Sequence, residues 1–423
     1  MLDKNKIKRY TPRLIWKLLS DLKRKSLVLE VYLITFFAKS NFKLINNVVK
    51  NRCKKLTWLD CITPVQNFKA TKTYEAYEPN YHEKTKFNIV APEINLYKFH
   101  NAKAHSESSH IILDNTIVME RLPNIPVEYC NYSTGFIKGH KGKYAVYASK
   151  YKEIEVDKAF FLGGNGSWNY YHWTIEIITK LKYFLSIANI DKDLKIILPV
   201  HAKNIESFSV MIEILLDNKF DVIYLSEYEV IKARELYIIT SPSNVVYNTK
   251  HGIDFKSNFL FFDKESISYV RNSVLDSQQY NDFLNSLNEK KIFRKIYIAR
   301  RKHAVRSYNH DEVLETVTKY GFQPVYLEEL SFFQQVHLFQ NAQYVIGASG
   351  AAWTNLVFIK SGVKGLSWLG ENIKFFSCYS TLAEYYGCDL QFFTYKVGNR
   401  NRIHSDYFLD LRTLEEKILR ITE

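Results

Sequence analysis

The chain is poor in the residues that would mark a disulfide scaffold, a zinc module or a flexible linker protein. Its five cysteines, Cys53, Cys61, Cys130, Cys378 and Cys388, are odd in number, widely spread and never arranged as CxxC. That pattern argues against a disulfide framework or a structural zinc site, and a reducing cytoplasm is the simplest compartment. Glycine (15) and proline (9) are scarce while 46% of residues are hydrophobic, so little of the chain has the composition of disorder. No GxxxxGK[ST] and no GxGxxG occurs, which counts against an NTPase or a standard dinucleotide enzyme. No HExxH or similar ligand cluster implies a protein-bound metal. The most apolar run of the N-terminal region, SLVLEVYLITFFA (26–38), has 13 residues and contains Glu30, short of the roughly 20 that span a bilayer. No small-residue cleavage site follows it, so a cleaved signal peptide is not expected. Internal repeats and low-complexity tracts are absent.

Positive charge is present, and it is concentrated. The formal net charge is +14. Residues 1–59 hold 15 Lys/Arg against three acids, and all the rest hold 43 against 41. A nearly neutral body argues against a nucleic-acid groove over the main domains. The basic arm, with LIWKLLSDLKRK at helical spacing, fits an interfacial helix facing an anionic membrane surface. A solubilising arm, or one docked on the body, is the alternative.

At 423 residues the chain is long enough for two or three domains. From 60 to 157 short β-like runs alternate with turns. From 158 the pattern becomes strand–helix–strand: KAFFLGG, NYYHWTIEIITKLKYFLSIA, LKIILPV, NIESFSVMIEILL, DVIYL, RELYIIT. After a polar loop at 241–252 and a helical stretch, a second series runs from KIYIAR to DLRTLEEKILRIT, with Ser331 as a cap and Gly321 as a helix stop. Such alternation predicts parallel sheets with crossover helices. The expected division is a basic arm over 1–59, an α/β domain over 60–255, a second α/β domain over 256–400 and a C-terminal helix over 401–423.

Three stretches carry chemistry. VIGASGAAWTNLVF (345–358) is a strand, a turn with Gly347, Ser349 and Gly350, and a helix from Ala351. Such a turn lets backbone N–H groups approach a phosphate, or it is glycine-rich only for packing. YIARRKHAVRSYN (297–309) follows another strand with Arg300, Arg301, Lys302, His303 and Arg306. An arginine fork there can hold a diphosphate; a solvated basic turn is the other reading. NYYHWTIEI (169–177) sets His172 and Glu176 four apart, on one helix face. A carboxylate behind a histidine fixes its tautomer and makes it a better base, or else this is a core histidine satisfied by Glu176. DKD (191–193) mimics a metal-binding DxD but sits in a plain helix-to-strand turn.

Taken together, NYYHWTIEIITKLKYF, IYIARRKHAVRSYN, GFQPVYLEELSFFQQVHLFQNAQYVIGASGAAWTNLVF and GVKGLSWL resemble glycosyltransferase family 61, over roughly 158–400. The resemblance extends to its bacterial capsular and surface-polysaccharide branch. It implies an inverting transferase with a nucleotide-sugar donor and the GT-B architecture, two Rossmann-like domains facing across a cleft. The family's N-x-x-H-W falls on Asn169, His172 and Trp173, with the acid at Glu176 and Tyr170 beside them on the acceptor side. Donor binding falls on Arg300, Arg306, Asn309, Gly347, Ser349, Gly350, Ala351 and Asn355. The chain departs from the pattern at His310, Ser349 and Ser367, which leaves open whether the donor is a UDP-, GDP- or CMP-sugar. The resemblance thus implies a metal-independent enzyme with no permanently bound cofactor. It would build a capsular or other surface polysaccharide on a glycan acceptor, in the cytoplasm at the inner face of the cell membrane. The alternative is a non-catalytic sugar-binding or scaffold subunit of a polysaccharide assembly complex.

Overall fold

The computed structural model describes Leu29 and residues 53–423, except 115, 121, 123, 131–134, 136, 142–143, 148–150, 246–252, 288–292, 302–305 and 398–404. The expected basic arm up to residue 52 therefore lies outside the described residues apart from Leu29, as do Lys302 and His303. The last residues assigned to that arm are part of the fold. Cys53–Trp58 is a strand paired with Thr116–Met119 and Tyr144–Tyr147. Among the described residues no helix is long and apolar enough to cross a membrane.

The chain is a mixed α/β protein built on two large sheets. In the C-terminal half five strands are all parallel. Their order is Gln323–Val325, Lys295–Ile298, Tyr344–Ala348, Val363–Gly370, Cys388–Tyr395. They read as continuous apolar runs because both faces are covered. On one face helices His310–Lys319 and Leu411–Thr422 bury Val313, Val317, Leu414 and Ile418 against Tyr297, Ile346, Leu366 and Trp368. On the other lie Phe332–Asn341, Ala351–Phe358 and Cys378–Tyr386. Ser331 starts the first of these as expected: its hydroxyl accepts from the Gln334 N–H while the Gln334 side chain accepts from the Ser331 N–H, the reciprocal cap that satisfies two orphan donors. Gly321 and Gly387 close helices at φ +80° and +73°, conformations open to glycine at little cost.

The N-terminal sheet has the expected parallel strands at one end, in the order Val222–Leu225, Lys195–Pro199, Lys152–Phe161, Glu229–Ile239. It then continues antiparallel. The twelve-residue strand Ile94–His105 pairs with Glu229–Ile239 and carries the sheet on into short meandering strands. This strand lies in the tract that looked irregular, because it is buried on both faces and shows no period-two alternation.

The two halves share one apolar cluster, which runs from Phe160 and Trp173 through Phe208 to Ile298, Val345, Trp353 and Phe392. The hairpin Lys72–Tyr77/Lys86–Ala91 and its turn dock on the C-terminal half. The Tyr77 N–H donates to Thr381 Oγ1 at 3.1 Å, and the Phe392 N–H donates to the Asn80 carbonyl at 2.7 Å. Helix Lys264–Leu275 sends Arg271 to the carbonyls of Val357 and Ile359. Residues early in the chain thus close around the later sheet, and the edge where the halves meet is held from several sides.

Candidate active site

Strand Lys152–Phe161 ends in the loop 162–169, whose path glycine makes possible. A Cβ on Gly163 would lie 2.5 Å from the Phe161 ring and 2.8 Å from the Ser106 carbonyl. The Gly164 N–H donates to the Ser106 carbonyl, and the Asn165 N–H to Ser109 Oγ, at 3.2 Å each. Asn169 then starts the helix, its Oδ1 accepting from the Tyr171 N–H at 2.9 Å.

The helix opens with a π-turn where the spacing predicts an α-helix. Over His172–Ile177 the ladder widens, and the Ile178 N–H donates to the Trp173 carbonyl at 3.0 Å. Single π-turns are costly and gather at functional sites. Here the turn carries His172 and Glu176, both buried, with His172 Nδ1 2.7 Å from Glu176 Oε2. The other carboxylate oxygen accepts from the Val245 N–H at 2.7 Å. Glu176 is thereby anchored on two sides, and it holds the proton of His172 on Nδ1, which makes Nε2 the proton-accepting nitrogen. One turn further the Lys180 side chain is also buried. Burial lowers its pKa, opposed by the carboxylates of Glu120 and Glu176. Glu120 is fixed in turn by the N–H and hydroxyl of Ser241, at 2.8 and 3.0 Å. The spacing 172/176/180 puts this lysine on the same helix face, a residue not singled out from the sequence.

In the C-terminal half, strands Lys295–Ile298 and Tyr344–Ala348 are neighbours, yet the helices that follow them lie on opposite faces. That is a topological switch point, where open α/β sheets form a ligand crevice. Arg300 leaves the first strand, and its guanidinium donates to the Ser349 carbonyl at 2.7 Å. A Cβ on Gly350 would lie 2.6 Å from Arg300 Nη2 and 3.3 Å from Arg306 Nη2, so both guanidinium groups converge on this glycine. Arg306 is largely buried, its Nε has no hydrogen-bond partner, and its backbone is left-handed at φ +65°. Its pKa is lowered, by burial first and by Arg300 second. Among the described residues no carboxylate forms an ion pair with either arginine, whereas the exposed Arg301 pairs with Glu328 and Glu329. Two cations with no ion-pair partner among the described residues, one part-exposed and the other largely withdrawn from water, favour an anion beside them.

The other sequence-selected residues divide. Ser349 is buried beside Arg300, and Ala351 packs half-buried on the core. Gly347 is a packing glycine, since a Cβ there would lie 3.0 Å from Ile298 Cβ. Trp173, expected on the acceptor side, is fully buried and stacks on Phe208 at 4.8 Å. Tyr170 and Asn355, expected to serve opposite substrates, instead serve each other: the tyrosine O–H donates to Asn355 Oδ1 at 2.9 Å across the two halves. Asn309 spends its amide on Leu409, accepting from its N–H at 2.8 Å and donating to its carbonyl at 3.1 Å. It fastens the C-terminal segment to the start of helix His310–Lys319, donating also to Glu312 Oε2 at 2.8 Å. In the DKD turn, Asp191 accepts from Lys158 at 2.5 Å and from the Asp193 N–H at 3.0 Å.

Two tyrosines not selected from the sequence stand between the arginine pair and the histidine. Tyr379 meets Tyr171 edge to face at 6.0 Å, and Tyr171 meets His172 edge to face at 5.2 Å. Burial pushes both phenols well above their usual range, while Arg300 and Arg306 pull Tyr379 back down. The switch-point crevice and the His–Glu dyad are therefore joined by two touching rings.

Residues 170–366 match the family model described as Glycosyltransferase 61. The matched stretch begins at Tyr170 and contains His172, Glu176, Arg300, Arg306 and Gly350. No curated protein matches the chain.

Proposed function

We propose, for a chain that is a glycosyltransferase by its family 61 domain, an inverting, metal-independent transfer from a nucleotide sugar to a glycan acceptor. One observation carries the reading: two guanidinium groups that converge on Gly350 with no carboxylate ion-paired to either among the described residues, one pair of rings away from a histidine held by a glutamate.

Arg300 and Arg306 would neutralise the diphosphate as it leaves, charge stabilisation that costs no reorganisation at the moment of reaction. His172 Nε2 would take the proton of the acceptor hydroxyl. That oxygen attacks the anomeric carbon from the face opposite the departing diphosphate, so the new C–O bond forms as the old one breaks and configuration inverts. Glu176 would orient the imidazole and stabilise its protonated form. Two sheets with parallel strands meeting at a shared edge support a GT-B-like arrangement, with the donor on the C-terminal sheet. The concentrated positive charge of residues 1–59 supports work at the anionic inner face of a bacterial membrane on a capsular or other surface polysaccharide.

Transfer assays with a panel of UDP-, GDP- and CMP-sugars test the reading. His172→Ala is expected to lower turnover by about 10²–10⁴-fold while nucleotide binding persists, and Arg300→Ala to weaken nucleoside-diphosphate binding by a few kcal/mol. Wild-type turnover in the first variant, or unchanged calorimetric affinity in the second, removes that residue from the mechanism.

A further inference from the structure

His172, Glu176 and Lys180 recur at every fourth position, and all three side chains are buried, the lysine at 6% exposure. The proton transfer accounts for a histidine with a glutamate behind it, but not for the lysine. Taking an ammonium out of water is costly unless charge of the other sign stands nearby. The next lysine along the chain shows the ordinary arrangement: Lys182 pairs with the exposed Glu265 at 3.3 Å.

Two carboxylates face Lys180. Burial lowers its proton affinity, and the charges of Glu120 and then Glu176 oppose that. Both carboxylates are positioned independently of the lysine. Glu120 accepts from the N–H and hydroxyl of Ser241 at 2.8 and 3.0 Å, and Glu176 accepts from the Val245 N–H at 2.7 Å. They thus hang on one strap, residues 240–245, which is tied down in turn. Thr240 Oγ1 accepts from the Asn95 N–H and Ser243 Oγ from the Asp263 N–H, at 2.9 Å each. The second Glu176 oxygen is on His172. Every oxygen of the two carboxylates therefore has a donor already, and the lysine acts on them as a charge. The neighbouring titratable groups are kept neutral. Tyr171 on the same helix, and Cys378 and Tyr379 on helix Cys378–Tyr386, are all pushed well above their usual ranges by burial. Beyond Tyr379 stand Arg300 and Arg306.

The charge state of Glu176 decides which nitrogen of His172 can act. An ionised carboxylate accepts the Nδ1 proton and leaves Nε2 as the base. A protonated one would donate to Nδ1 and put the ring proton on Nε2, where no base would remain. A cation close behind a carboxylate favours its ionised form. We propose that Lys180 is a positioning residue for the dyad: its ammonium, with Glu120 as counter-charge, keeps Glu176 ionised behind His172. The inference rests on the transferase reading, since Lys180 acts only through His172 as base.

Side-chain nitrogen NMR of the full chain with labelled histidine reads both the tautomer and the titration midpoint of His172, whose signals are assigned by their loss in His172→Gln. The neutral wild-type ring is expected to carry its proton on Nδ1. Lys180→Met keeps the side-chain length and removes the charge. It is expected to raise the midpoint by about half a pH unit or more, roughly threefold in proton affinity, or to move the neutral proton to Nε2, according to whether Glu176 stays ionised or takes up a proton. Glu120→Gln is expected to lower the midpoint by a similar amount, and it carries the test alone should Lys180→Met not fold. Lys182→Met is the control and should change neither quantity. A wild-type neutral ring with its proton on Nε2, a Lys180→Met ring unchanged in both quantities, an unmoved midpoint in Glu120→Gln, or equal changes in Lys182→Met each overturn the proposal. Failure of the transferase reading shows separately, as a wild type that binds none of UDP, GDP and CDP in calorimetry while the ring signals behave as expected.

Discussion

Arg306→Met separates a binding role for this arginine from a structural one. The native side chain carries three burdens at once. Its charge is taken largely out of water, it faces the like charge of Arg300, and its Nε is buried without an acceptor. An unsatisfied buried donor alone costs about 1–3 kcal/mol, and no carboxylate among the described residues offsets it. Methionine keeps most of the length and packing and removes all three burdens, and the left-handed backbone at φ +65° is no worse for Met than for Arg. The ligand-free variant is therefore expected to be more stable than wild type, by on the order of 2–4 °C in Tm for each kcal/mol gained. Its affinity for nucleoside diphosphates is expected to fall by at least tenfold, since a charge-assisted hydrogen bond contributes about 1.5–3 kcal/mol. Differential scanning calorimetry of the free protein and titration calorimetry with UDP, GDP and CDP read the two numbers. A lower Tm together with unchanged affinity would refute the reasoning, because Arg306 would then be a structural residue with a partner that the geometry does not reveal.

Three more outcomes rest on single contacts. Gly350→Ala should fold normally, since its φ of 166° is extended backbone, but the methyl would displace the Arg300 guanidinium from its 2.6 Å approach and weaken nucleotide binding about tenfold or more; calorimetric affinity within twofold of wild type would contradict this. Tyr170→Phe leaves the buried Asn355 Oδ1 without its 2.9 Å donor and should cost about 1–3 kcal/mol, measured by urea unfolding with the m-value as a check on the two-state treatment. His105 is held below its usual 6.5, mainly by burial. The unfolded chain then binds the extra proton first, so stability should be intact above about pH 6.5 and decline as pH falls below it. His105→Gln should flatten that part of a urea-midpoint profile between pH 7.5 and 5, and an unchanged slope would place the acid sensitivity elsewhere.

How far the site could be read from the chain differs between its halves. The C-terminal series was legible because each strand is buried on both faces and each helix carries its own stop or cap, as Ser331, Gly321 and Gly387 do. The pairing of Arg300 with the Gly350 turn was legible too, since cations after one parallel strand and a glycine after its neighbour must share an edge. The π-turn at His172 was not, because its extra residue leaves no mark in hydrophobic spacing. Nor was the fate of Trp173, Tyr170 and Asn355, whose partners lie in other elements: Phe208 for the first, and each other for the last two.

By itself the sequence determined that this is an α/β chain with a later all-parallel sheet, that positive charge gathers ahead of residue 60, and that a histidine stands one turn from a glutamate. These follow from local periodicity, capping and counting, which are properties of neighbours along the chain. Only the tertiary structure decided which cations stay unneutralised, that an early hairpin closes on the late sheet, and that Tyr171 and Tyr379 bridge the arginines to His172. Those depend on distances between segments far apart in the chain, where burial strips water from charges and makes it matter that no carboxylate among the described residues pairs with Arg306.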